Sequence, residues 1–159
     1  MSLKTDCEGI ALTADIKLSN YATTWNTRLK DLGRTDCRII IVTFSLADVN
    51  YIHSVLSRRK NGDNITLICN TSYYPNAQAL KNLLPGMRVF VSTKAHAKLV
   101  LAEPDIVWVS SENIGHMPKS FDATIEIQNQ DVYDHYKRQV DNLLRCRSTI
   151  MLEEDEYYA

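Results

Sequence analysis

HAKLVLAEPDIVWVSSEN, residues 96–113, is the stretch around which the chain is organised. Two apolar runs of strand character, LVLA and IVWVS, flank Glu103, Pro104 and Asp105, where Pro and Asp supply turn chemistry and proline ends the first strand. The stretch reads as a β-hairpin. His96 and Lys98 stand two positions apart, so the pleat puts both on one face, and Ser111 and Asn113 share a face by the same rule. A two- or four-residue loop centred between Pro104 and Asp105 sets His96 opposite Asn113 and Lys98 opposite Ser111, with Cβ atoms roughly 4.5–5.5 Å apart. An odd-length loop shifts the pairing by one and sends the two pairs to opposite faces.

An imidazole, an ammonium, an amide and a hydroxyl meeting at the open end of a hairpin suit a phosphodiester. Its transition state spreads negative charge over the non-bridging oxygens, and donors already in place stabilise that charge without reorganising. Imidazole either attacks phosphorus or moves protons near neutral pH. A lone strand histidine is by default structural; the company of Lys98, Ser111 and Asn113 is what points to chemistry.

The spacing also carries a family resemblance. His96-x-Lys98, four residues, Glu103, six residues, Ser110-Ser111-Glu112-Asn113 resembles the phospholipase D superfamily, whose motif runs His-x-Lys, four residues, Asp, six residues, Gly-Ser-x-Asn. Glu103 stands where the family has Asp and keeps a carboxylate at the strand end. Ser110 stands where the family has Gly and adds a side chain to a bare stretch of backbone. The resemblance implies a metal-independent phosphodiesterase with no cofactor, similar to the small bacterial nucleases of the superfamily that carry one motif and pair as symmetric homodimers. It implies that His96 of one subunit attacks phosphorus to give a phosphohistidine while His96 of the other protonates the leaving oxygen. Lys98, Asn113 and Ser111 would hold the phosphate oxygens. In the family a further carboxylate orients the histidine about eleven residues after the motif's Asn. That count lands on Thr124, which is no anion; Asp122 and Glu126 flank it, and Glu126 ranks first.

Outward from the hairpin, strand and helix patterns alternate. GIALTADIKL (9–18) reads as a short strand. Leu18, Tyr21, Trp25, Leu29 and Leu32 recur at helical spacing, with Ser19 or Asn20 as N-cap and Gly33 past the end. CRIIIVTFSL (37–46) is a continuous β-branched run, the mark of a strand buried on both faces. ADVNYIHSVLSRR (47–59) is a helix, ITLICN (65–70) a strand, NAQALKNLL (76–84) a helix and MRVFVST (87–93) a strand. After the hairpin comes a loop, IGHMPKS (114–120), with His116 as an accessory candidate; then a strand, FDATIEIQ (121–128), and a helix, DVYDHYKRQVDNLLRCR (131–147). The expected fold is α/β: a mixed, largely parallel sheet flanked by helices on both faces. Residues 1–150 form one domain and 151–159 an acidic, mobile tail.

With 159 residues, 45% of them hydrophobic, and a net charge of −1, the chain suits one domain with a sizeable core. No stretch is long and apolar enough to span a bilayer, no signal-peptide pattern opens the chain, and no basic amphipathic helix suggests a membrane surface, so a cytoplasmic location is expected. Cys7, Cys37, Cys69 and Cys146 are scattered without metal-ligand spacing, which argues for reduced thiols and against zinc. Glu153, Glu154, Asp155 and Glu156 gather in the tail; without them the count is 18 basic to 15 acidic. Arg58, Arg59, Lys60 and Lys94 are candidates to line a basic cleft, although a solvated helix end is the simpler reading of the first three. The net charge by itself does not mark a nucleic-acid binder; the substrate class, DNA or RNA, is what the resemblance to the small one-motif nucleases implies. A weakly catalytic nucleic-acid-binding or assembly module and a phospholipid phosphodiesterase are the alternatives.

Overall fold

The computed structural model describes residues 14–19, 32–33, 35–59, 62–114 and 122–156. At its centre lie three parallel strands, β2 (Ile39–Val42), β3 (Ile65–Asn70) and β4 (Arg88–Ser92). Their β-branched, apolar sequences are buried almost throughout, as strands covered on both faces must be. The crossovers carry helices α1 (Val49–Leu56) and α2 (Tyr74–Leu83). Asp48 caps α1 by accepting from Tyr51 N at 2.9 Å, and Pro75 sits in the first turn of α2, where its missing N–H costs nothing.

The hairpin β5 (Leu99–Ala102) and β6 (Ile106–Ser110) adds antiparallel to β2, followed by β7 (Asp122–Gln128) and β1 (Asp15–Ser19). On the far side β8 (Thr149–Met151) pairs with β4, giving the order β1-β7-β6-β5-β2-β3-β4-β8. Helix α3 (Gln130–Leu144) starts at Asn129, whose side chain accepts from Val132 N at 3.1 Å. One core, under α1 and α2, joins Ile41, Leu67, Val89, Val100 and Trp108 to Ile52, Val55 and Leu80. The other, under α3, joins Val42, Ile68, Leu99, Leu101 and Val107 to Val132, Tyr133 and Val140. The sheet is thus mixed, with helices on both faces, as expected.

Four details differ from the sequence reading. The parallel share is smaller than expected: two of the seven pairings are parallel, because everything outside β2–β3–β4 is reached by hairpin or by return of the chain. The strand expected over 37–46 stops at Val42, and just beyond it Thr43 turns its hydroxyl to Ser45 O at 2.9 Å. Strand β8 was not read from the sequence. The described part of the tail expected to hang free, up to residue 156, is tied down: Leu152 is buried and donates to Val89 O, and Gln78 and Asn82 of α2 bind Glu153 and Asp155. Of the expected helix before β2, Leu18 and Ser19 belong to β1 and Leu32 is buried; Tyr21, Trp25 and Leu29 lie outside the described residues, as do Cys7, Lys60, His116 and Phe121.

Candidate active site

The hairpin register is one residue away from the expected one. Ala102 pairs with Ile106, so the loop is the three residues Glu103, Pro104 and Asp105, and Lys98 comes opposite Ser110, whose N–H donates to Lys98 O at 2.9 Å. This corrects the expectation that His96 faces Asn113 and Lys98 faces Ser111 across a regular ladder. With an odd loop, Ser111 falls to the other face. There its hydroxyl accepts from Ala123 N at 3.0 Å and its own N–H donates to Ala123 O at 3.0 Å, which fastens the end of β6 to β7.

Asn113 reaches the site by another route. Past Ser110 the chain leaves the ladder, and the Asn113 side chain turns to the segment that leaves β2. Its Oδ1 accepts from Ser45 N at 3.0 Å, Phe44 N at 3.2 Å and Thr43 Oγ1 at 3.3 Å. Two backbone N–H donors are answered only by the oxygen end of an amide, so the orientation of this side chain is settled. Its Nδ2 donates to no acceptor among the described residues and is held facing away from those amides.

Phe44 joins this amide to the histidine. Its ring centroid lies 5.2 Å from that of His96, at 49°, and the imidazole is otherwise exposed. The turn that delivers His96 is anchored by Asn70 at the end of β3, whose Nδ2 donates to Ala95 O at 3.0 Å and whose backbone N donates to Phe44 O at 3.1 Å. Lys98 extends from the same end, its Nζ 3.5 Å from His96 O. His96 and Lys98 come from the turn before β5 and Asn113 from the chain after β6, so all three lie beyond the C-terminal ends of the parallel strands, where open α/β sheets place their ligands, while Ser111 is turned to β7. Thr43, Phe44, Ser45 and Asn70 are the contributors that sequence reasoning missed. Their only local signal was a polar residue ending an apolar run.

A family model described as "Cardiolipin synthase, PLD-like domain" matches residues 29–144. The chain belongs to the phospholipase D superfamily. No curated protein sequence matches it. Among solved structures it is similar to Nuc from Salmonella typhimurium, a phospholipase D family member, with a TM-score of 0.69 at 9% identity, over 89% of this chain and 99% of that one. It is similar to NucT from Helicobacter pylori at a TM-score of 0.58 and 17% identity, over 87% and 100%. For phosphatidylserine synthase from Haemophilus influenzae Rd KW20 the TM-score is 0.70 at 11% identity, over 89% of this chain and 40% of that one. At these identities the likeness speaks for the phospholipase D fold alone.

Within that fold, two departures from the superfamily motif touch each other. Ser110, at the glycine position, and Thr124, at the position of the orienting carboxylate, share a hydrogen bond of 3.0 Å between their hydroxyls. Ser110 Oγ also accepts from Glu112 N at 3.1 Å and so shapes the turn into Asn113. Its side chain faces β7 rather than the space beside His96. Glu126, expected to orient His96, is instead drawn to the indole of Trp108, accepting from Nε1 at 2.5 Å. It lies one row further along the sheet than Thr124, two strands and two residues from Lys98, on the order of 12 Å between Cα atoms. The buried indole N–H needed an acceptor, and this carboxylate supplies it. The backbone of Asp122 pairs with Ser19 in β1.

Glu103 sits at the tip of the hairpin, at the other end of the sheet, with its N–H on Arg38 O at 3.0 Å. A cavity of about 560 Å³ opens there, between Arg38, Arg88, Glu103, Tyr133 and Lys137, and holds none of the residues around His96. Arg59 is no solvated helix end, and the hollow it borders, with Leu56, Ile65 and Met87, holds none of the residues around His96. The residue is 6% exposed, and its guanidinium donates to Leu32 O, Thr35 Oγ1, Cys37 O and Asn64 Oδ1, binding the approach to β2 onto the end of α1. Arg58 and Lys94 are exposed.

Proposed function

We propose that this chain is a metal-independent phosphodiesterase of the phospholipase D type, a nuclease that cleaves DNA as a homodimer through a phosphohistidine. The observation that carries the reading is the fixed amide of Asn113, whose oxygen is spent on the Phe44 and Ser45 amides while Phe44 packs on the exposed imidazole of His96. A preset donor beside a nucleophile is what a developing phosphorane charge requires. His96 forms the P–N bond as the P–O bond to the leaving oxygen breaks, and the partner subunit's His96 gives that oxygen its proton. Water then attacks phosphorus, the partner subunit's His96 takes the proton, and the P–N bond breaks. Lys98 and Asn113 of both copies hold the non-bridging oxygens, and Ser111 fastens the end of β6 that leads to Asn113. Two identical imidazoles must hold opposite protonation states, so the pH–rate curve reports the pair. No helix of the described residues is long and apolar enough to cross a membrane. A cytoplasmic, DNA-directed role is part of the same proposal.

Plasmid and single-stranded DNA incubated in EDTA should be cut by the purified protein and left intact by His96→Ala, and the protein should elute as a dimer. A strictly monomeric protein at high concentration ends the paired-histidine scheme. One observation favours a second reading, a binding or assembly module that keeps the fold: among the described residues no carboxylate is hydrogen-bonded to His96. DNA retained without any cleavage supports that reading.

A further inference from the structure

Phe44 is partly buried, adjoins His96, and belongs to neither core cluster of the described residues. Its other neighbour is Tyr73, whose ring meets it edge to face at 5.8 Å and which is itself partly buried, leaning on the α1–α2 core. Tyr74, next in the chain, is 46% exposed. Backbone bonds lock the platform: Phe44 N donates to Asn113 Oδ1, Phe44 O accepts from Asn70 N, and Tyr73 closes a short turn that Asn70 opens by accepting from Ser72 N at 3.0 Å. Rings fixed in this way lose little entropy when a ligand settles on them.

We propose that Phe44 and Tyr73 form a stacking ledge for the base next to the scissile phosphate, so that the site takes single-stranded nucleic acid in preference to duplex. The inference rests on the phosphodiesterase reading and deepens it. A phosphate held at His96, Lys98 and Asn113 leaves its neighbouring nucleoside beside Phe44, and an aromatic face accepts any base. In a duplex both faces of that base are covered by its neighbours, so reaching the ledge costs unstacking. Exposed Lys94, in the turn before His96, supplies charge for the strand without reading its sequence.

Binding can be scored apart from cleavage. Fluorescence anisotropy with a labelled single-stranded DNA oligomer, a base-free tetrahydrofuran oligomer of equal length and charge, and the duplex should give the intact protein about tenfold tighter binding of the base-bearing strand than of the base-free one. Tyr73→Leu, which keeps the apolar contact with the core, should remove most of that gap and leave the base-free and duplex affinities unchanged, while Tyr73→Phe should bind as the parent does. Equal affinity of the parent protein for the base-bearing and base-free strands overturns the ledge, as does a Tyr73→Leu loss shared equally by both. If the gap is present but no His96-dependent cleavage occurs, the nuclease reading fails and the ledge stands; cleavage without the gap is the reverse.

Discussion

Replacing Asn113 separates the two jobs its amide performs. Asn113→Ala removes the acceptor of Ser45 N, Phe44 N and Thr43 Oγ1, at 3.0, 3.2 and 3.3 Å. A donor left unpaired costs roughly 1–3 kcal/mol when buried and less where water enters. Thr43 is 1% exposed and keeps a second bond to Ser45 O, Phe44 is partly buried and Ser45 is 8% exposed. About 3 kcal/mol in total is the expectation, equivalent to a fall in Tm of roughly 6–12 °C for a domain of this size. Asn113→Asp keeps an oxygen facing the same donors and adds charge to the bonds. It should therefore hold within about 1 kcal/mol of the parent. The same variant loses the Nδ2 donor and sets an anion beside the phosphate, so cleavage should fall by at least about a hundredfold, the scale of losing one donor to a developing oxyanion. Urea or thermal unfolding of the three proteins beside the DNA-cleavage assay decides the matter. If Asp is as destabilising as Ala, or if Asp cleaves like the parent, the amide does not sit as described.

Further outcomes follow from other contacts. Arg59→Met strands the four oxygens that its guanidinium binds and should cost about 3 kcal/mol in urea unfolding, with the activity of the remaining folded protein unchanged, since the residue lies away from His96; Arg59→Lys should recover under half of the loss. Glu126→Gln keeps an acceptor for Trp108 Nε1 and should cost about 1 kcal/mol, and a shift in the pH–rate curve of that variant would reconnect it to His96. Burial pushes the Cys69 thiol from 9.0 up to about 12, and burial, helped by nearby carboxylates, pushes the Tyr133 hydroxyl from 10.0 up to about 12. The folded chain keeps both protons where the unfolded chain gives them up, so stability is whole below pH 9 and drains away from there to pH 12. Both groups act in the same direction, so the fall is steepest between pH 10 and pH 12. Urea midpoints that stay level between pH 9 and pH 11 would refute it.

The hairpin, the alternation of buried strands with helices, and the His-x-Lys and Ser-x-Asn pairs were legible in the sequence. Each rests on short-range rules: a pleat of two, a helical period, and a proline between apolar runs. The register was not, because one residue in the loop decides which side chains share a face, and Ile106 serves equally well in a turn or in a strand. Nor was the way Asn113 is held, since its partners stand 68 to 70 positions away. Only the bend after Val42, which the apolar run from Cys37 to Leu46 conceals, turns their donors toward it. Glu126 likewise read as the acid that orients His96 until the sheet set it across from Trp108. The sequence by itself determined which groups are present and which strand or helix carries them, through local periodicity; tertiary structure decided which of them meet, through hydrogen bonds between segments far apart in the chain.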